Sequence, residues 1–181
     1  ILLSEAEIGL VLKDAREQRL KAALGKLADQ YDYVFIDCPP NLNFLTINAL
    51  VAADFVIIPV ECEFYGLDGI SLLLRTIDRI VANNFMNPDL MIGGVIVTKF
   101  DKRKNMHNEA LAMIENFERF RGLVFNAIPT NSTVAEASSR TAGYTAALDR
   151  SCAGALAFDE LATRFFKRFP LIPVNKEAIH G

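Results

Sequence analysis

Cysteine is scarce in this chain: Cys38, Cys62 and Cys152 stand far apart and form no C-x-x-C pair. That excludes a zinc-ribbon pattern and a disulfide framework, and the thiols read as small apolar fillers in a reducing, cytoplasmic compartment. Histidine is scarcer still, and no carboxylate spacing makes His107 or His180 a credible metal ligand. No apolar run reaches the roughly 18 residues needed to span a membrane, and the N-terminus lacks the pattern of a signal peptide. Neither sign of charge dominates. A net charge of −3 excludes a wholly basic coat, so any DNA contact must come from a local patch. Glycine occurs ten times, and no glycine-rich stretch precedes a helix. The sequence therefore lacks a loop of the kind that cradles phosphates with backbone N–H groups. It also begins at Ile1, without a methionine.

What the chain does have is apolar material, 51% of 181 residues, enough for one domain with a sizeable core. Tyr33–Ile36, Phe55–Pro59, Met91–Val97 and Leu123–Ile128 are short, apolar on both faces, and predict strands of a parallel sheet covered by helices. Helices are predicted between them. One runs from about Arg16 to Asp29 with Leu20, Ala23, Leu24 and Leu27 on its stripe, and a longer one carries Leu67, Ile70, Leu73, Leu74, Ile77, Ile80 and Val81. Met106, Ala110, Met113, Ile114 and Phe117 mark a third, and Ser151 is the expected N-cap of a fourth that reaches Phe169 before Pro170 and Pro173. The reading is one α/β domain, a mostly parallel sheet with helices on both faces, over residues 1–169, with a tail at 170–181. In such sheets the ligand lies beyond the carboxyl ends of the strands.

The first predicted strand ends in Asp37-Cys38-Pro39-Pro40. An aspartate there can aim its carboxylate at a Mg²⁺-bound water beside a nucleotide, and it can equally be a turn former. The two prolines make the chain leave the sheet extended. The residues that follow decide between these. Asn41-Leu42 leads to Thr46-Ile47-Asn48-Ala49-Leu50, Ala52-Ala53-Asp54 and Ile58-Pro59-Val60-Glu61-Cys62-Glu63-Phe64-Tyr65-Gly66-Leu67. Gly94-Val95-Ile96-Val97-Thr98-Lys99-Phe100-Asp101-Lys102-Arg103 comes next, then Ile128-Pro129-Thr130-Asn131 with Glu136-Ala137, then Gly154-Ala155 with Glu160-Leu161-Ala162. In this order the motifs resemble the ParA/Soj family of partitioning ATPases, relatives of MinD, over about Glu5 to Phe166.

The resemblance implies a P-loop NTPase fold that dimerises around ATP and Mg²⁺, and a role in partitioning or positioning DNA or other cargo with a ParB-like partner. It implies the Walker B role for Asp37, magnesium-side through water. It places Pro39, Pro40 and Asp101 with the nucleotide site, and Pro129 and Asn131 beside the adenine. Lys99, Lys102, Arg103 and Lys104 form the one basic cluster expected to touch DNA without reading sequence, which would make the protein nucleoid-associated.

The chain departs from the family in lacking K-G-G-x-G-K-T-[ST] and the acidic motif after it. By themselves these residues are expected not to hydrolyse ATP. Either the intact protein carries the loop, or the protein is a nucleotide-free scaffold on the same fold. Thr130 and Thr133 stand where the family often has arginines, and Lys99 where it commonly has an apolar residue. A MinD-like membrane cycle is a third reading. Phe165, Phe166 and Phe169 beside Lys167 and Arg168 hint at it, but Leu161, Phe165 and Phe169 fit a core stripe better. Glu61 and Glu63 read as structural.

Overall fold

The computed structural model describes residues 15–27, 30–39, 41–62, 66–130 and 151–171. A 3₁₀ turn at Arg16–Gln18 leads into α1, Arg19–Leu24. Then come α2, Phe44–Ala52, and β1, Phe55–Glu61. After these lie α3, Gly66–Val81, β2, Met91–Thr98, α4, Asn105–Asn116, and α5, Ala153–Arg168. The order is α/β, and β1 pairs with β2 in parallel across α3.

The register runs from Phe55 opposite Met91 to Glu61 opposite Thr98, with one irregularity between Val56 and Ile57. Gly93 is the extra residue there. A Cβ on Gly93 would lie 2.9 Å from both Phe169 Cζ and Phe55 Cβ, and one on Gly94 would lie 2.1 Å from Phe125 Cε2. Only glycine lets α5 and the 122–128 segment approach so closely.

The predicted strand Leu123–Ile128 follows β2 but is irregular, touching it through single bridges, Val95 with Val124 and Phe100 with Pro129. Val95 N–H donates to Leu123 O at 3.0 Å, Phe125 N–H to Val95 O at 2.8 Å and Ile128 N–H to Val97 O at 2.8 Å. Each chain advances five residues between the bridges. That odd number breaks the two-residue repeat of a regular ladder, so each side carries an extra residue. On the β2 side it is Lys99, whose backbone is left-handed at φ 53°.

Tyr33–Ile36 corrects the prediction more sharply: it is extended but belongs to no ladder among the described residues. Its composition suits a strand, but a strand needs a neighbour for its N–H and C=O groups. The segment docks instead by its aromatic rings on α5. Tyr33 and Phe35 meet Phe165 at 5.8 and 5.5 Å between centroids, and the Tyr33 hydroxyl donates to Phe169 O.

Val95, Val97, Ile58 and Val60 of the sheet pack with Leu74, Ile77 and Ile80 of α3, with Leu50 and Val51 of α2 and with Ile114 of α4. Fully burying each of these is worth about 1.5–3 kcal/mol. α2 was not foreseen as a helix. Asn43 caps it, its side-chain oxygen accepting from Leu45 and Thr46 N–H at 3.1 Å each. Buried Asn48 accepts from Leu20 N–H at 3.3 Å, which ties α1 to α2.

α1 is shorter than predicted and buries no residue, its helix ending at Leu24 before Gly25. Residues 28 and 29 lie outside the described set. α5 is capped by Cys152, whose sulfur accepts from Ala155 N–H at 3.3 Å, and not by Ser151. The expected stripe of α4 holds in part: Ile114 is buried and Ala110 half-buried, His107 is buried beside them, and Met106, Met113 and Phe117 are exposed. Of the cysteines only Cys62 is a buried filler, Cys152 being half-buried and Cys38 exposed. No helix among the described residues is long and apolar enough to cross a membrane.

Candidate functional site

Parallel pairing brings three chain ends to one edge of the sheet. Glu61 closes β1, Lys99 follows β2, and Pro129 follows the 123–128 segment. Two contacts lock them together. Lys99 Nζ lies 2.6 Å from Glu61 Oε1, and Phe100 pairs with Pro129, donating to Ile128 O and accepting from Thr130 N–H, both at 3.0 Å.

The loop after Lys99 is fastened from within. Asp101 Oδ1 accepts from Arg103 N–H and Nε–H at 3.0 Å each, and Asp101 Oδ2 from the guanidinium NH2 at 2.9 Å. The Arg103 guanidinium, and then its backbone N–H, hold the Asp101 carboxyl well below the usual carboxylate range. The Asp101 N–H in turn donates to Nδ1 of His107 at 3.1 Å. That bond requires Nδ1 unprotonated, so the neutral ring carries its proton on Nε2. Asn108 Nδ2 donates to the carbonyls of Lys102 and Lys104 at 3.0 and 3.1 Å. His107 and Asn108 thus shape the 99–104 loop, a role the sequence did not suggest. A histidine and an asparagine opening a helix right after a cationic loop were the available signal.

Of the predicted nucleotide residues, Asp101 and Pro129 stand on this edge, on the two chains that the Phe100–Pro129 bridge joins. Asp37 and Pro39 are exposed, and Asp37 has no ion-pair partner among the described residues. Asp37 follows the segment held by α5, and no described contact brings it to Glu61 or Asp101. Pro40, Glu63 and Asn131 lie outside the described residues. The neighbouring thiol, Cys38, is pushed up by desolvation from the groups around its sulfur and by the Asp37 charge, so it is not an activated thiolate.

Of the predicted DNA cations, all four sit in the one loop and all are exposed. Lys99 and Arg103 face carboxylates, while Lys102 and Lys104 have no ion pair among the described residues.

These residues fit part of a magnesium nucleotide. Asp37 offers one exposed carboxylate to a hydrated cation, and no group of three or more metal-ligating side chains exists among the described residues. Among the described residues no multi-carboxylate site is built, and Asp37 would hold such a cation through a water. For phosphates the sequence holds no glycine-rich cradle.

A family model described as an AAA domain matches residues 1–92. The chain is 47% identical over 140 residues to the sporulation initiation inhibitor protein Soj of Bacillus subtilis, covering 77% of this chain and 54% of that protein. It is 45% identical over 138 residues to the chromosome partitioning protein ParA of Myxococcus xanthus, covering 76% of this chain and 47% of that protein. Among solved structures it resembles cobyrinic acid a,c-diamide synthase from Mycobacterium smegmatis with bound ATP analog and magnesium. The TM-score is 0.70 at 32% identity, covering 95% of this chain and 63% of that one. The chain thus spans about half the length of these two curated relatives. With the family model matching half of its residues, the chain belongs to the AAA-domain family, and within it the chain is similar to Soj and ParA.

Proposed function

We propose that this chain forms the magnesium-side and base-side part of an ATP-dependent switch that partitions or positions DNA or another cargo. The observation that carries the reading is the shared edge where Glu61, Lys99, Asp101 and Pro129 end adjacent chains, in a chain 47% identical to Soj over 140 residues. In open parallel sheets that edge is where ligands bind. Asp37 would hold a Mg²⁺-bound water, with Pro39 and Pro40 fixing its direction. Asp101, Pro129 and Asn131 would border the base. A magnesium ion held there would supply positive charge to offset that of the phosphates. The 99–104 loop would give sequence-independent phosphate contacts to DNA, a homodimer would enclose the nucleotide, and a ParB-like partner would stimulate release.

The 181 residues alone, with no glycine-rich loop, would neither hold the phosphates nor hydrolyse them. Calorimetry of this chain with Mg·ATP checks that: no binding tighter than the high-micromolar range is expected, and a low-micromolar dissociation constant overturns it. The membrane-cycling reading has less support, because Phe165 and Phe169 are engaged with Tyr33, Phe35 and Phe55.

A further inference from the structure

The basic loop is half neutralised by its own protein. Lys99 meets Glu61 across the sheet edge at 2.6 Å, and Arg103 is gripped through its planar fork by both oxygens of Asp101. Lys102 and Lys104 are exposed and make no ion pair among the described residues, although the Lys104 charge also acts on the Asp101 carboxylate. A guanidinium fork binds carboxylate and phosphate with the same geometry, so Asp101 occupies the place a DNA phosphate would take on Arg103. All four side chains of the two pairs reach solvent to some degree, and that of Arg103 is 84% exposed. Water and salt screen pairs that reach solvent, so their partners exchange readily. A polyanion can compete with them.

We propose that Glu61 and Asp101 are built-in counter-ions that mask Lys99 and Arg103, so that duplex DNA meets two cations in the resting loop and four once the carboxylates are displaced. The inference rests on the reading of this loop as a DNA surface. It adds a regulatory element to it: whatever moves the end of β1, where Glu61 sits, or the backbone of Asp101, held by His107, changes the number of phosphates the loop can neutralise. The two carboxylates lie on different chains of the same edge, so a shift of one chain against the other unmasks one cation without the other.

The test is duplex binding by the full-length protein, read by fluorescence polarisation against salt concentration. Each neutralised phosphate contributes about 0.9 to the slope of log K against log salt. The loop of the unaltered protein should contribute a slope near −2, steepened by about one unit in Glu61→Gln, by about one in Asp101→Asn and by about two in the double variant. Asparagine keeps the oxygen that accepts from Arg103 N–H, so the loop's turn survives the loss of charge. Asp89→Asn is the control: it makes the same change in charge on an exposed residue at the other end of β2, roughly 25 Å away by the rise of a strand. Its slope should match the unaltered protein.

An unchanged slope in the double variant overturns the masking, and so does an equal steepening in Asp89→Asn. If Lys102→Ala with Lys104→Ala leaves binding untouched, or the double carboxylate variant binds no duplex at low salt, the DNA reading itself fails and the masking with it. Loss of affinity in the lysine variant alongside inert carboxylate variants removes the masking alone.

Discussion

Arg168 holds the C-terminal helix to the sheet, and removing its head group should loosen both. Its NH1 donates to Gly93 O and Leu123 O, each at 2.9 Å, its NH2 to Gly122 O at 3.2 Å, and its guanidinium lies 4.1 Å from the Phe125 ring centroid. Hydrogen bonds to a charged group contribute about 1.5–3 kcal/mol each, and a cation–π contact about 0.5–1. The three bonds share one head group and one is close to solvent, so they do not add. We expect Arg168→Met, which keeps the stem, to cost about 2–4 kcal/mol. For a domain of this size each kcal/mol lowers Tm by about 2–4 °C. Urea denaturation should show a lower midpoint at constant slope. Arg168→Lys should lose most of the same stability, since an ammonium cannot fork across three carbonyls while stacking on a ring. Gly94→Ala should fail for the complementary reason, its methyl colliding with Phe125, at about 1–3 kcal/mol. If Arg168→Met lies within 0.5 kcal/mol of the unaltered protein, the clamp is incidental and α5 is held by its aromatic contacts alone.

Two further outcomes follow from single residues. Asn87, buried between α3 and β2, donates to Leu50 O at 3.0 Å and Ala53 O at 2.7 Å. Asn87→Ala should cost about 1–3 kcal/mol by thermal melt, while Asn83→Ala, in the adjacent turn, should cost less. Asp101 has its carboxyl depressed by Arg103, so its contribution is complete above the ordinary value near 3.8 and is lost only as pH falls through the lower folded value. Its side-chain carbonyl carbon should therefore show no titration near pH 4 by NMR, and Arg103→Gln should restore one there. A midpoint near 3.8 in the unaltered protein would remove the bidentate pair.

The elements defined by composition were legible in the residues. β1 and β2 are apolar, β-branched runs, and the seven apolar residues of the α3 stripe repeat at helical spacing. Pairing was not legible. Tyr33–Ile36 is as apolar as β1, but a strand is a relation between two chains, and in its place the rings of α5 take its side chains. The face of α4 was read only in part: Ala110 and Ile114 lie on the stripe expected, but Met106, Met113 and Phe117 beside them form one helical stripe and His107 with Ala110 and Ile114 another. The bond from Asp101 N–H to His107 and the burial of Ile114 select the second. α2 escaped because Thr46, Asn48, Ala49, Leu50 and Val51 are all buried, which blurs the two-sided pattern that identifies a surface helix. At the site, the cationic loop was visible as Lys99 to Lys104, but its internal neutralisation was not. A carboxylate two residues from an arginine grips it only for particular backbone angles, and Glu61 meets Lys99 only because β1 and β2 end in register.

The central claim is that this domain makes binding to DNA depend on nucleotide. Its most direct test is retention of unrelated DNA duplexes by the full-length protein in Mg·ATP, in Mg·ADP and without nucleotide, at one fixed salt concentration. Retention with Mg·ATP regardless of duplex sequence, and its loss with Mg·ADP, is the expected result. Equal retention in all three conditions, or retention confined to one sequence, would contradict it.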